Sequence, residues 1–283
     1  MGTYRLERRL SHADVDFLGE LKVAALLGLL EQAAVEASSA AGFDAARYAR
    51  DGRIWIIRRT RLQRHRPVGG EQTIAVATKV IDFRRARSLR RYDVYHGSDL
   101  VADATTDWVY CDLQSGRPAR IPEALQHAFT GDAGPVTLGR ADALPSTGNG
   151  PPVEVRLTVQ PSHLDHVTHV NNAVYANYLE DAAFALFAAQ QWPLERMLAA
   201  GGGLRVASLD CEYLSDALAG QTLIVRSWLD DPQAFDASST TPPDRARLLQ
   251  TICRTDASAV LRASTAWVWR QRPAVLGGVP PAS

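Results

Sequence analysis

The stretch Asp165-His166-Val167-Thr168-His169-Val170-Asn171-Asn172 holds the side chains best suited to proton transfer in this 283-residue sequence. Beyond it the apolar residues Tyr175, Leu179, Ala182, Leu186 and Ala189 recur at three- and four-residue steps, which predicts a helix, and Pro193 ends the run. Asn171 or Asn172 is a natural N-cap. A helix N-terminus offers unpaired N–H groups and partial positive charge, so the backbone at Val170, Asn171 and Asn172 is expected to hold a developing oxyanion. With an acid and a histidine beside that point, the chemistry suggested is acyl transfer or hydrolysis. Asp165 acts on the reacting groups or caps the loop; His169 serves as general base or hydrogen-bond donor, or buttresses the loop.

These groups need a scaffold, and the chain repeats one. Strand-like Tyr4 to Leu10, a loop with Asp16, and an Ala- and Leu-rich helix from Leu21 to Ala37 follow the order seen around Asp165. A shift of 149 places Asp16 on Asp165 and Leu30-Glu31-Gln32-Ala33-Ala34 on Leu179-Glu180-Asp181-Ala182-Ala183. Pro67 to Glu71 falls opposite Ala217 to Gln221, and Ala104 to Val109 opposite Ala263 to Val268. Alternating β-branched segments at Thr73 to Ile81, Arg90 to Tyr95, Val101 to Cys111, Thr222 to Trp228 and Leu248 to Arg254 predict antiparallel strands. Residues 131–152, with five glycines and four prolines, predict a linker, and Asp230 to Asp244 a polar loop. The expected organisation is residues 1–135, a linker at 136–150, and residues 151–283. In the first half Glu20, Lys22 and Val23 stand where the second has His169, Asn171 and Asn172, so the first half is expected to be non-catalytic.

Bulk properties bound the class. A 46% hydrophobic composition supports a substantial core, and the formal net charge is zero. Met1 to Leu10 has no apolar stretch typical of a secretion signal, and no uninterrupted apolar run approaches membrane-spanning length. Cys111, Cys211 and Cys253 lack metal-ligand spacing and read as reduced thiols of a cytoplasmic protein. His163, His166 and His169 lie three apart without carboxylate or thiol company, so no metal is expected, nor any other cofactor. Residues 53–91 hold 12 basic side chains against Glu71 and Asp82, either a solvated sheet face or a docking surface for something anionic. Poor aromatic interleaving argues against nucleic acid.

An aspartate four residues before His-Val-Asn-Asn, then two residues and Tyr175, resembles the hotdog-fold thioesterases, both the 4-hydroxybenzoyl-CoA group and the acyl-acyl-carrier-protein (acyl-ACP) thioesterases. The resemblance to the latter covers nearly the whole chain: Trp55 after the first helix, and Trp108 followed by Arg117 to Pro122, are similar to that family's N-terminal half. It implies an α+β fold, a tandem or double hotdog, each half a long central helix wrapped by a curved antiparallel sheet. It further implies hydrolysis of a fatty or polyketide-like acyl thioester on a carrier protein or coenzyme A, with Trp55 and Tyr175 at the acyl pocket. The plant enzymes carry Glu-Tyr, two residues and a catalytic glutamate; Glu212-Tyr213-Leu214-Ser215-Asp216 matches with Asp216 in the last place, one bond shorter. Their asparagine between aspartate and histidine is here Val167. A monomeric pseudo-dimer or a homodimer is expected, without membrane or nucleic-acid partners. The alternatives are a hotdog hydratase or dehydratase, whose Asn-Pro pattern is missing here, and a non-catalytic acyl- or carrier-binding module.

Overall fold

The computed structural model describes residues 2–130, 142–230, 235 and 241–272. The elements in order are β1 (Tyr4–Arg9), α1 (Val23–Ala40), α2 (Ala45–Arg50), β2 (Arg53–Arg64), β3 (Thr73–Arg84), β4 (Arg87–His96), β5 (Asp99–Asp112) and α3 (Glu123–Thr130). The second series is β6 (Val153–Thr158), α4 (Asn172–Ala189), α5 (Leu194–Ala199), β7 (Gly202–Tyr213), β8 (Thr222–Leu229), β9 (Arg245–Arg254) and β10 (Ala259–Gln271). From β1 to the start of β3 every element recurs in the second series at the 149-residue shift. The first half forms an antiparallel sheet ordered β1-β3-β4-β5-β2, the second one ordered β6-β8-β9-β10-β7. Both are hotdog units, as expected. The linker residues 136–141, and most of the loop expected at Asp230 to Asp244, lie outside the described residues.

The loops that precede the two long helices are copies at the level of single hydrogen bonds. Leu21 N–H donates to Val68 O at 2.7 Å and Val170 N–H to Ala217 O at 3.0 Å. Lys22 N–H donates to Asp14 O at 2.9 Å and Asn171 N–H to His163 O at 3.0 Å. Each loop closes on its aspartate, whose carboxylate takes two backbone N–H groups. The position after these turns has φ 77° at Gly19 and 66° at Thr168, a left-handed conformation that costs a β-branched residue more than glycine.

Two compact units result: residues 1–9, 26–66 and 72–143, and residues 10–25, 67–71 and 144–283. This division departs from the sequence boundaries, because Leu10–Ala25 and Pro67–Glu71 group with the second half. A buried ion cluster gives a reason. Arg205 of β7, only 2% exposed, reaches Asp16 Oδ2 with Nε at 2.9 Å and Glu180 Oε1 with Nη1 at 3.2 Å. Its guanidinium lies 3.8 Å from the centroid of the Phe17 ring, and Phe17 packs edge-on against Phe184. Burial lowers the Arg205 pKa while Asp16 and Glu180 raise it.

The arginine-rich strands do not form an unbalanced patch. Arg53 pairs with Asp112 and Arg66 with Asp99, each at 2.6 Å, Arg84 with Asp82 at 2.8 Å, and Arg87 with Asp107. Most of these acids fall outside the 53–91 window, so register supplies counterions that counting along the chain misses. Helix α1 has the length and mean composition of a membrane-spanning helix, but Glu31, Gln32 and Glu36 interrupt its apolar run, and Leu26, Leu27, Leu29 and Leu30 are buried within the fold.

Removing one partner of a buried ion cluster strands the other charges. Arg205→Ala is expected to lower unfolding stability by about 3–5 kcal/mol, read as a shift of the urea midpoint.

Candidate active site

The second unit brings His169 and Asp216 together. His169 Nε2 lies 3.3 Å from Asp216 Oδ2, and both side chains are close to half exposed. The two residues come from segments 47 positions apart, and the Val170 to Ala217 backbone bond joins those segments one residue beyond each of them. Arg254 at the end of β9 fixes the Asp216 turn from the other side. Its Nη2 donates to the Asp216 carbonyl and its Nη1 to Ser215 Oγ at 3.2 Å and Ser258 Oγ at 3.1 Å. Ser215 Oγ donates to Ala259 O at 2.9 Å. Sequence reasoning missed Arg254, because nothing distinguishes a strand-end arginine until the β8–β9 and β9–β10 registers place it.

Asp165 holds the loop from within. Its Oδ1 accepts the Val167 N–H at 2.9 Å and the His169 N–H at 3.3 Å, while its own N–H donates to His169 O at 2.8 Å. The capping role weighed from sequence is thus realised. No partner for Oδ2 occurs among the described residues, in contrast to Asp16, whose Oδ2 is taken by Arg205. Val167, in the place of the family asparagine, contributes its backbone N–H to this turn.

Of the backbone donors expected to hold an oxyanion, two are occupied. The Val170 N–H is spent on Ala217 O and the Asn171 N–H on His163 O. Asn171 is the N-cap of α4, its Oδ1 accepting the Ala173 N–H at 2.8 Å. Those assignments correct the expectation for Val170 and Asn171: closing the loop and capping the helix consume their polar groups. The Asn172 N–H, first in the 18-residue helix, has no acceptor among the described residues. Asn172 O accepts from the Tyr213 hydroxyl at 3.3 Å, which ties the helix start to β7.

The three histidines diverge in role. His163 Nδ1 accepts the Gln160 N–H at 3.1 Å and meets the Tyr178 hydroxyl at 2.5 Å, so Tyr178 donates, whereas His169 faces Asp216 and His166 is exposed. Tyr175 is buried against Tyr178 and Tyr213, with ring centroids at 5.8 and 6.0 Å, and its hydroxyl has no hydrogen-bond partner among the described residues. Burial raises the Tyr175 pKa and pushes that of Tyr178 up to about 12, so both remain protonated donors at neutral pH. Trp55 belongs to the first unit, where it packs at 4.9 Å on Tyr110 beside Phe43, Ile121 and Phe129.

Because Asp165 Oδ1 closes the turn, Asp165→Ala is expected to cost about 1 kcal/mol of stability. Asp165→Asn, which retains an acceptor oxygen, is expected to unfold within a few tenths of wild type by thermal melting.

Comparison with known proteins agrees with this layout. Residues 2–129 match the acyl-ACP thioesterase N-terminal domain family, and residues 159–254 match the thioesterase-like superfamily. No curated protein matches the chain by sequence. Among solved structures, a putative oleoyl thioesterase from Lactobacillus plantarum is 17% identical, with TM-score 0.80 over 96% of this chain and 98% of its own. An acyl-ACP thioesterase from Bacteroides thetaiotaomicron gives 18%, 0.70, 95% and 98%, and a 12:0-ACP thioesterase from Umbellularia californica 16%, 0.72, 95% and 98%. At such identities the structures establish the fold. The first half of the chain thus matches the acyl-ACP thioesterase N-terminal domain family and the second the thioesterase-like superfamily, and the whole is a tandem-hotdog thioester hydrolase.

Proposed function

We propose that this protein releases acyl chains from an acyl-carrier protein by water attack on the thioester, with His169, Asp216 and Asp165 as its working groups. The observation that carries the assignment of residues is the His169–Asp216 pair at 3.3 Å beside the start of α4. Asp216 orients the imidazole and stabilises the imidazolium formed when His169 takes a proton from water. Asp165 holds the His169 backbone through Oδ1 and offers Oδ2 to the same water. The hydroxide adds to the thioester carbon. The oxyanion collects at the Asn172 N–H, favoured by the partial positive charge at the N-terminus of α4. Collapse breaks the C–S bond, and the imidazolium returns its proton to the leaving thiolate, so acid and thiol leave with one water consumed.

A carrier-bound substrate is favoured because the model matched by the first half is that of acyl-ACP thioesterases. Coenzyme A thioesters are the nearest competitors. The first half lacks a histidine at the equivalent loop position, where Glu20 stands, which agrees with one catalytic centre in the second half.

Free-thiol release from matched acyl-ACP and acyl-CoA panels tests the proposal. Wild type is expected to turn over acyl-ACP faster than the same acyl group on coenzyme A. His169→Ala and Asp216→Asn are each expected to lower kcat by roughly 10²–10⁴-fold. Asp165→Asn is expected to lower kcat while its melting temperature stays near wild type. Undiminished turnover in His169→Ala would remove the mechanism, and a preference for coenzyme A would remove the carrier assignment.

A further inference from the structure

The two units carry the same row of inward-facing positions on their sheets, and they fill it differently. In the second unit the row is closed. Trp267 Nε1 donates to Thr265 Oγ1 at 2.9 Å, and Thr265 Oγ1 donates to Gln250 Oε1 at 3.4 Å. Gln250 Nε2 donates to Ser227 Oγ at 3.0 Å and to the α4 carbonyl of Leu179 at 2.9 Å. Leu248 sits opposite Thr265. Every polar group in that row is satisfied by protein.

Register identifies the counterparts in the first unit: Thr78 opposite Tyr92 matches Ser227 opposite Gln250, and Arg90 opposite Thr106 matches Leu248 opposite Thr265. Here the row is open. The Tyr92 hydroxyl and Trp108 Nε1 are both buried, and neither makes a well-aligned hydrogen bond among the described residues, although Trp108 and Thr106 lie within hydrogen-bonding reach of the Tyr92 hydroxyl. Arg90, 5% exposed, has one hydrogen bond, Nη1 to Thr78 Oγ1 at 3.3 Å, and its guanidinium stands 5.3 Å from the Phe129 ring centroid. No carboxylate pairs with it among the described residues; Glu31 of α1 acts on Tyr92 instead. A buried guanidinium with no carboxylate partner among the described residues, next to two buried donors with no well-aligned acceptor there, is costly unless something else completes it.

We propose that the inner face of the first sheet is a binding site for an acyl chain carrying a carboxylate away from its thioester end, with Arg90 as the ionic partner and Tyr92 and Trp108 as further donors. The assignment of the ligand as an acyl chain rests on the thioesterase reading above; the demand for an anionic acceptor rests on the row itself. Leu248 and Gln250 show what these positions hold when no ligand is needed.

The test is calorimetric titration of the full chain with decanedioic acid monomethyl ester, which has one carboxylate, and methyl decanoate, which has none. Wild type is expected to bind the carboxylate probe about tenfold or more tighter than the neutral one. Arg90→Leu, which installs the residue the second unit carries, is expected to abolish that preference by weakening binding of the carboxylate probe. Tyr92→Phe, a milder change if Arg90→Leu fails to fold, is expected to reduce the preference severalfold. Equal binding of both probes by wild type, or a preference that survives both substitutions, would overturn the site. Thiol release separates the two ideas: turnover without the carboxylate preference leaves the thioesterase and removes the site, while preference without turnover does the reverse.

Discussion

The site depends on one carboxylate oxygen. Asp165 Oδ1 accepts two N–H groups from its own loop, and that turn, locked to the Asp216 segment through the Val170 to Ala217 bond, fixes where His169 stands. Neither His169 nor Asp216 is buried, so packing alone would leave both side chains free to wander. Their meeting at 3.3 Å comes from backbone bonds on either side, with Arg254 clamping the Asp216 carbonyl. The chemistry sits on a rigid frame although the reacting groups face solvent.

Duplication explains why the frame exists twice and the chemistry once. The Asp16 loop keeps the turn, the bond to the following strand segment and the helix start, but holds Glu20 in the histidine position and gives its second carboxylate oxygen to Arg205. A turn whose second carboxylate oxygen has no partner among the described residues in the second half is, in the first, part of a buried ion cluster with Glu180 and Phe17. The same divergence runs through the sheets. Gln250, Thr265 and Trp267 close a network where Tyr92 and Trp108 make no well-aligned hydrogen bond among the described residues.

Much of this was legible in the sequence because repetition and spacing survive without coordinates. The 149-residue shift carried the element order and the apolar spacing the helix at α4; the loop motif named Asp165 and His169 as candidates, and a five-residue match named Asp216 as a third. What escaped depends on strand register. Arg90 and Arg91 look alike in a run of basic residues, yet alternation turns Arg90 inward and leaves Arg91 exposed beside Asp93. The acids that balance the arginine-rich strands lie on neighbouring strands, invisible to a count along the chain. Asn171 and Val170 looked like oxyanion donors because a helix start was visible; that their N–H and side-chain groups close the loop was not. Arg205 was hidden for the same reason as Arg254, since a lone arginine in a strand declares neither burial nor partner.

The central claim is that water, activated at His169, attacks the thioester directly. A single turnover with enzyme in excess over acyl-ACP, run in ¹⁸O-labelled water and followed by mass spectrometry, tests it most directly. The account expects one labelled oxygen in the released acid and none in the peptide that contains Asp165, with release lost in His169→Ala. Label in the Asp165 carboxylate would mean that this aspartate attacks the thioester itself, and no release from wild type would contradict the hydrolase assignment.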